Sequence, residues 1–309
     1  MLASEINGQK PIVRVYDGYR YEDGVVHIGQ LLDRYEGLTR VEIGKSVLGR
    51  SIDALVIGKG ADCIHVNASV HANEWITTPL LLRFIEELAA SLQSENRKAD
   101  NSGSLLAKRL NDVALWAVPM VNPDGMNLSQ DGLWPGCPFR EQLIKWNAGQ
   151  KDFTRWKANI RGVDLNDQFP AGWEEERARR GMAGPASQDY GGEMPLCEPE
   201  AAALASLTRR LGFSRVASLH TQGREIYWNY RDMEPDSSEQ LAGRLAEASG
   251  YEAIKLTGSD AGYKDWFISE FRRPGFTIEA GEGVNPLPTG QFEIIYGEIA
   301  PLLTEFVRG

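Results

Sequence analysis

The segment His71-Ala72-Asn73-Glu74 sets an imidazole and a carboxylate three residues apart. At a strand-to-helix corner that spacing can aim both groups at one point. A catalytic zinc takes three protein ligands and keeps one position open for water, so a third donor must come from elsewhere in the chain. There are four histidines, at positions 27, 65, 71 and 220. His220, in Ser218-Leu219-His220-Thr221-Gln222, ends an apolar run beside polar loop residues. Each candidate also has a plain reading: His71 as a hydrogen-bonded loop histidine, Glu74 as a carboxylate favoured by a helix N-terminus, and His220 as a core histidine with one satisfied nitrogen. His65 is read as a packing residue and His27 as a surface residue.

Hydrolysis at a metal also needs a base to take a proton from the attacking water and return it to the leaving amine. Glu279, in Phe276-Thr277-Ile278-Glu279-Ala280, ends an apolar strand. A carboxylate there is costly to bury without a partner. Glu282, in the Gly-rich loop just beyond, is the competitor and is read as a solvated loop acid.

The elements that must position these groups alternate in type. Short apolar runs bounded by turn residues predict strands over Ile52–Gly58, Cys63–Val70, Val113–Val121, Arg215–Thr221, Glu225–Tyr230 and Phe276–Ala280. Helical periodicity predicts helices over Trp75–Leu92, Glu198–Leu211, Ser238–Ser249, Tyr263–Phe271 and Phe292–Val307. Alternation of this kind predicts an α/β fold in one domain spanning residues 1–309, with a mixed, mostly parallel twisted sheet flanked by helices. Sites in such sheets form at the carboxyl ends of strands, which is where His71, His220 and Glu279 fall. Asn122–Gln150 and Gly181–Pro199, rich in turn residues, are expected to be long ordered loops.

Composition narrows the class. With 309 residues, 42% of them hydrophobic, the chain can bury a large single core. Its net charge of −10 argues against a nucleic-acid partner, which demands basic surface. Cys63, Cys137 and Cys197 are widely spaced and odd in number, so neither a disulfide framework nor a cysteine metal site is indicated. Cys63 is expected in the core. No apolar run is long enough for a membrane span, and Met1–Arg14 lacks the pattern of a leader. A cytoplasmic location is the expectation.

Across most of its length the sequence resembles the zinc carboxypeptidases of the carboxypeptidase A and B type. The resemblance runs through Ile43-Gly44-Lys45-Ser46-Val47-Leu48-Gly49-Arg50-Ser51-Ile52 and His71-Ala72-Asn73-Glu74-Trp75. It continues through Pro119-Met120-Val121-Asn122-Pro123-Asp124-Gly125, Arg161-Gly162-Val163-Asp164-Leu165-Asn166, Ser218-Leu219-His220-Thr221 and Phe276-Thr277-Ile278-Glu279. It implies a carboxypeptidase-like fold, one zinc held by His71, Glu74 and His220, Glu279 as general base, and Asn166 holding a substrate carboxylate. The cation that steadies the oxyanion is left among Arg155, Lys157 and Arg161. Tyr263 is the nearest match to the family's substrate-contacting tyrosine, and packing at a helix start explains it equally well.

One departure is informative. The family places an arginine after that asparagine, to clamp a terminal carboxylate; here Asp167 follows Asn166. At 4 Å the two like charges repel by roughly 1–4 kcal/mol, depending on the effective dielectric. The change resembles a bacterial branch that cuts peptidoglycan stem peptides between γ-D-glutamate and meso-diaminopimelate, whose remote amine Asp167 would meet. The expected partner is therefore a small wall-derived peptide. The alternatives are a conventional carboxypeptidase releasing C-terminal, including basic, residues, and an inactive module that binds wall peptides. The charge run Glu174–Glu176 followed by Arg177, Arg179 and Arg180 is read as a solvated helical face with i,i+4-type pairs, the alternative being an edge of the substrate cleft, since it follows Asp167 directly. Trp134, Trp146, Trp156 and Trp173 are read as packing anchors of the middle loops.

Overall fold

The computed structural model describes residues 10–96 and 105–309; of the Met1–Arg14 stretch, residues 1–9 lie outside the described residues. Eight strands form one sheet: β1 (Leu38–Lys45), β2 (Ser51–Ile57), β3 (Asp62–Ala68), β4 (Val113–Val118), β5 (Arg215–His220), β6 (Glu225–Tyr227), β7 (Glu252–Ile254) and β8 (Gly275–Glu279). Their order is β1-β2-β4-β3-β5-β8-β6-β7. The central strands β4, β3, β5 and β8 run parallel to one another. Antiparallel pairs flank them, β1–β2 and β2–β4 on one side and β6–β8 on the other. The sheet is thus mixed with a parallel centre, as the alternation of elements predicted.

Helices cover both faces. They are α1 (Tyr21–Arg34), α2 (Thr77–Asn96), α3 (Leu105–Asp112), α4 (Pro123–Asp131), α5 (Arg140–Trp146), α6 (Trp173–Arg180), α7 (Pro199–Leu211), α8 (Asp236–Ser249), α9 (Tyr263–Phe271) and α10 (Phe292–Arg308). On one face Ile64, Val66 and Ala68 of β3 pack with Leu81 and Ile85 of α2 and Leu302 and Phe306 of α10. On the other, Val118 and Val216 pack with Leu204 and Leu207 of α7 and Trp266 and Phe267 of α9. Cover on both sides explains why β5 is buried along its whole length and reads as an apolar run. None of the described helices is long and apolar enough to cross a membrane.

The expected loop Asn122–Gln150 contains two helices, α4 and α5. Its turn residues are also helix-start residues: the Asn122 side chain accepts from Gly125 N at 3.0 Å and Pro123 occupies the first turn of α4. Gly125 is required there, since a Cβ would lie 2.6 Å from Ala158 O. A third apolar cluster, including Leu143, Phe153, Trp156 and Ile160, anchors this layer above the sheet. Trp156 is fully buried and donates Nε1–H to Asn159 O at 3.1 Å. Truncating it to alanine is expected to cost about 3–5 kcal/mol and to loosen Lys157, its neighbour in sequence.

His27 is not a surface residue: it is 7% exposed, and its Nδ1 lies 2.8 Å from Tyr19 Oη. The apolar face of α1 carries it into the core. Cys63 is only partly buried: it is the second residue of β3 and packs against the apolar cluster that includes α7 and α9. His65, as expected, is fully buried; it lies against Phe213 and its Nδ1 is 2.8 Å from Trp116 O.

Candidate metal centre

Beyond β3 the chain turns sharply at Ser69, a non-glycine residue at φ 49°. Thr77 Oγ1 accepts from Ser69 N at 2.9 Å and so ties the turn to the start of α2. The β3–β4 pairing persists through this turn, with Val121 N on Ala68 O and Asn122 N on Ser69 O. Asn122 Nδ2 then donates to both Val70 O and Ala158 O, at 3.1 and 3.2 Å. Ala72 N donates to Lys157 O at 2.9 Å. These bonds fix the His71 corner against the segment that carries Lys157.

Three donors converge there. His71 Nδ1 lies 2.9 Å from Glu74 Oε1, His220 Nδ1 lies 2.9 Å from Glu74 Oε2, and the two Nδ1 atoms are 3.2 Å apart. His71, Glu74 and His220 are 7%, 2% and 1% exposed. Ligands held at about 2.0–2.1 Å in a tetrahedron lie roughly 3.3 Å apart, so the donor set fits one zinc with little movement. Two imidazoles and one carboxylate are the donor types zinc accepts. Thr221 N and Asn285 Nδ2 also donate to the Glu74 oxygens, at 3.3 and 3.4 Å.

Asp164 supports the set from behind. Its Oδ1 lies 3.1 Å from His71 Nε2, and its carboxylate accepts from Asn166 N and Asp189 N. Burial opposes charge on His71, but Glu74 and Asp164 outweigh it and lift its pKa to about 10. For Glu74 and Asp164 burial is likewise outweighed: His71 holds both carboxyls well below the usual range. His220 goes the other way, with burial pushing its pKa down. Sequence reasoning quoted Asp164 within a motif but gave it no role; the signal available was a carboxylate two residues from Asn166 in a segment already tied to the site.

Glu279 ends β8 directly beside His220 at the end of β5. Burial and the nearby Glu74 raise its pKa to about 8. The competitor Glu282 is a solvated loop acid, with 70% of its side chain exposed. Lys157 is half-buried; burial opposes its charge, but Glu74, Asp164 and Glu279 together raise its pKa. Lys157 lines a cavity of about 490 Å³ with Arg155, Asn73, Gln222 and Asn285. Arg155 is exposed at the margin of that cavity.

The remaining calls separate. Arg161 lies apart from the converging donors: it pairs with Glu198 at 3.6 Å and lines a different, more apolar cavity with Phe139, Trp146 and Tyr190. Tyr263 is fully buried, its Oη 2.8 Å from Thr208 Oγ1 and its ring against Phe169 and Trp266. It is a core residue of α9 and touches no cleft. Asn166 is half-buried next to Asp167. Asp167 is buried and meets Arg180 Nε at 3.3 Å. Burial and Asp164 push the Asp167 carboxyl up to about 7, with Arg180 opposing. The charge run is a solvated face except at Glu176, which is buried, accepts from Asp260 N at 2.8 Å and pairs with Arg179 and, in the expected i,i+4 sense, with Arg180.

A parallel-centred sheet, a His–Glu–His donor set at its carboxyl edge and a half-buried glutamate beside it define a zinc metallopeptidase. Residues 25–296 match the zinc carboxypeptidase family model, and the chain belongs to that family. It is 45% identical over 293 residues, 95% of this chain and 71% of the relative, to the γ-D-glutamyl-L-diamino acid endopeptidase 1 of Lysinibacillus sphaericus. Among solved structures it is similar to thrombin-activatable fibrinolysis inhibitor, with TM-score 0.75 and 18% identity, over 97% of this chain and 76% of that one. It is also similar to the murein-tripeptide amidase of Escherichia coli O157, with TM-score 0.54 and 19% identity, over 86% of this chain and 91% of that one. These structural likenesses confirm the carboxypeptidase-like fold.

Proposed function

We propose that this protein hydrolyses the bond between γ-D-glutamate and meso-diaminopimelate in peptidoglycan stem peptides, acting as a single catalytic domain. The observation that carries this reading is the 45% identity, over nearly the whole chain, to an endopeptidase whose name states that bond class. Asp167 in place of an arginine agrees with it.

His71, Glu74 and His220 would hold the zinc, which when bound polarises the scissile carbonyl and acidifies water. Glu279 Oε takes the proton of the attacking water and returns it to the leaving amine. Lys157 supplies positive charge where the carbonyl oxygen becomes anionic, from the wall of the cleft it lines. Asn166 and the Asp167–Arg180 pair orient the diamino acid. Because Arg180 already answers the Asp167 carboxylate, the pair acts as a unit and not as a lone anion awaiting an amine.

The test is mass spectrometry of products after incubation of the zinc-loaded protein with L-Ala-γ-D-Glu-meso-diaminopimelate and, separately, with an all-L peptide. Release of diaminopimelate from the first is the expected result. Trimming of the all-L peptide alone would make the protein a conventional carboxypeptidase, and cleavage of neither would make it a binding module.

A further inference from the structure

The cavity of about 490 Å³ that Lys157 lines begins at the metal donors. On one wall Asn285 Nδ2 donates to Glu74 Oε1 at 3.4 Å and to Thr221 O at 2.7 Å. On another stands Asn73, which lies between His71 and Glu74 in sequence. Asn73 Nδ2 donates to Arg155 O at 3.4 Å, and Ala72 N donates to Lys157 O at 2.9 Å. The segment of the metal donors and the segment of Arg155 are thus tied side by side. Trp156 is fully buried, its ring against Phe153, and its two neighbours in sequence, Arg155 and Lys157, both line the cavity. Asn166 and Asp167, assigned above to the diamino acid on the leaving side, are not among the lining residues. The cavity therefore serves the acyl side of the scissile bond.

Its charge is one-sided. Among the described lining residues only Arg155 and Lys157 are charged, both positively, on a chain of net charge −10. Lys157 has Glu74, Asp164 and Glu279 around it. Arg155 has no such company: among the described residues it makes no ion pair. Asp152, the nearest acid in sequence, accepts from Thr154 N at 2.9 Å instead. Asn73 adds an unmet acceptor, since it is 4% exposed and its Oδ1 meets no donor among the described residues. A buried acceptor without a donor costs free energy until one arrives. A guanidinium is matched best by a carboxylate, which it can hold with two N–H groups. This wall is therefore complementary to an N–H and an anion carried close together.

We propose that the wall reads the α-carbon of a γ-linked glutamate: Arg155 takes its free carboxylate, and Asn73 Oδ1 accepts the N–H of its acylated amine. This rests on the endopeptidase reading above. In a γ-linkage the scissile carbonyl ends the side chain, so the α-carbon keeps a free carboxylate beside its N–H. In an ordinary peptide the α-carboxyl is itself the scissile carbonyl, and no anion is left there to meet Arg155. The pair selects the γ-linkage from the acyl side, separately from any recognition of the diamino acid.

The experiment measures kcat/KM of the zinc-loaded protein for L-Ala-γ-D-Glu-meso-diaminopimelate and for the same peptide with the glutamate α-carboxylate replaced by a carboxamide. The wild type should prefer the free acid by about tenfold or more, the effect of one charge-assisted contact. In Arg155→Gln, a change at an exposed position, the ratio should fall to within about twofold, chiefly through KM, and Arg155→Lys should keep part of the preference. The γ-L-glutamyl epimer, in which carboxylate and N–H exchange places, should be cleaved about tenfold more slowly or worse by the wild type. Equal rates on acid and carboxamide, an unchanged ratio in Arg155→Gln, or indifference to the epimer would overturn the assignment while leaving the endopeptidase standing. Cleavage of none of these peptides would overturn both.

Discussion

His71 Nε2 and Asp164 Oδ1 are 3.1 Å apart, while the other nitrogen of the same ring faces Glu74 and His220. The carboxylate fixes which edge of the ring points at the metal. Asp164 is held in turn by two backbone N–H groups. Asp164→Asn should therefore weaken zinc binding about 10- to 100-fold, measured by competition with a chelator of known affinity. An unchanged affinity would mean that the ring is oriented by its other neighbours.

Glu279→Gln keeps the shape of the side chain and removes its ability to hold a proton. Turnover should fall by about 10²- to 10⁴-fold, with zinc content still one per chain by elemental analysis. A variant that retained most of its turnover would move the base elsewhere, with Glu225 across the β6–β8 pair the next group to examine.

Lys157 and Arg161 are separated by their surroundings. Lys157→Met should lower kcat by about 10²- to 10³-fold with a small change in KM, and Lys157→Arg should recover part of it. Arg161→Ala, which breaks only a half-exposed pair with Glu198, should stay within about twofold of wild type. Equal losses in Lys157→Met and Arg161→Ala would contradict the placement of the oxyanion contact at Lys157.

Much of this was legible before any coordinates. The metal donors and Glu279 lie at strand ends, and strand ends are the most readable feature of an α/β sequence: apolar run, then a polar residue, then glycine or a turn. The misreadings share a cause, which is that side-chain direction depends on tertiary packing. Tyr263 and Arg161 were read toward the site from sequence, but they point into the core and into another cavity. The run Glu174–Arg180 is the solvated helix its composition suggests, save that α6 lies against the Asp167 and Asp260 loops and turns Glu176 inward. His27 was misplaced for the same reason, since α1 buries one of its faces against α2. Asp164 was invisible as a partner because its contact with His71 spans 93 positions.

His65 gives a pH test of the core. Burial lowers its pKa to about 3, so the folded protein holds it neutral. The unfolded chain takes up a proton near pH 6.5. The associated stability is present in full above about pH 6.5 and is lost as pH falls below it, by up to about 1.4 kcal/mol per pH unit until the folded pKa is reached. Denaturant unfolding at several values between pH 7.5 and 5 should show this slope in the wild type and a shallower one in His65→Gln. Identical slopes would place the acid sensitivity on other groups.

The central claim is that one zinc, held by His71, Glu74 and His220, drives cleavage of the γ-D-glutamyl bond. The direct measurement is hydrolysis of L-Ala-γ-D-Glu-meso-diaminopimelate by chelator-stripped protein as zinc is added back in known amounts. Activity should rise linearly from near zero and level off at one zinc per chain, and His220→Ala should show no such rise. Hydrolysis that is indifferent to zinc, or that continues to climb toward two equivalents, would contradict the account.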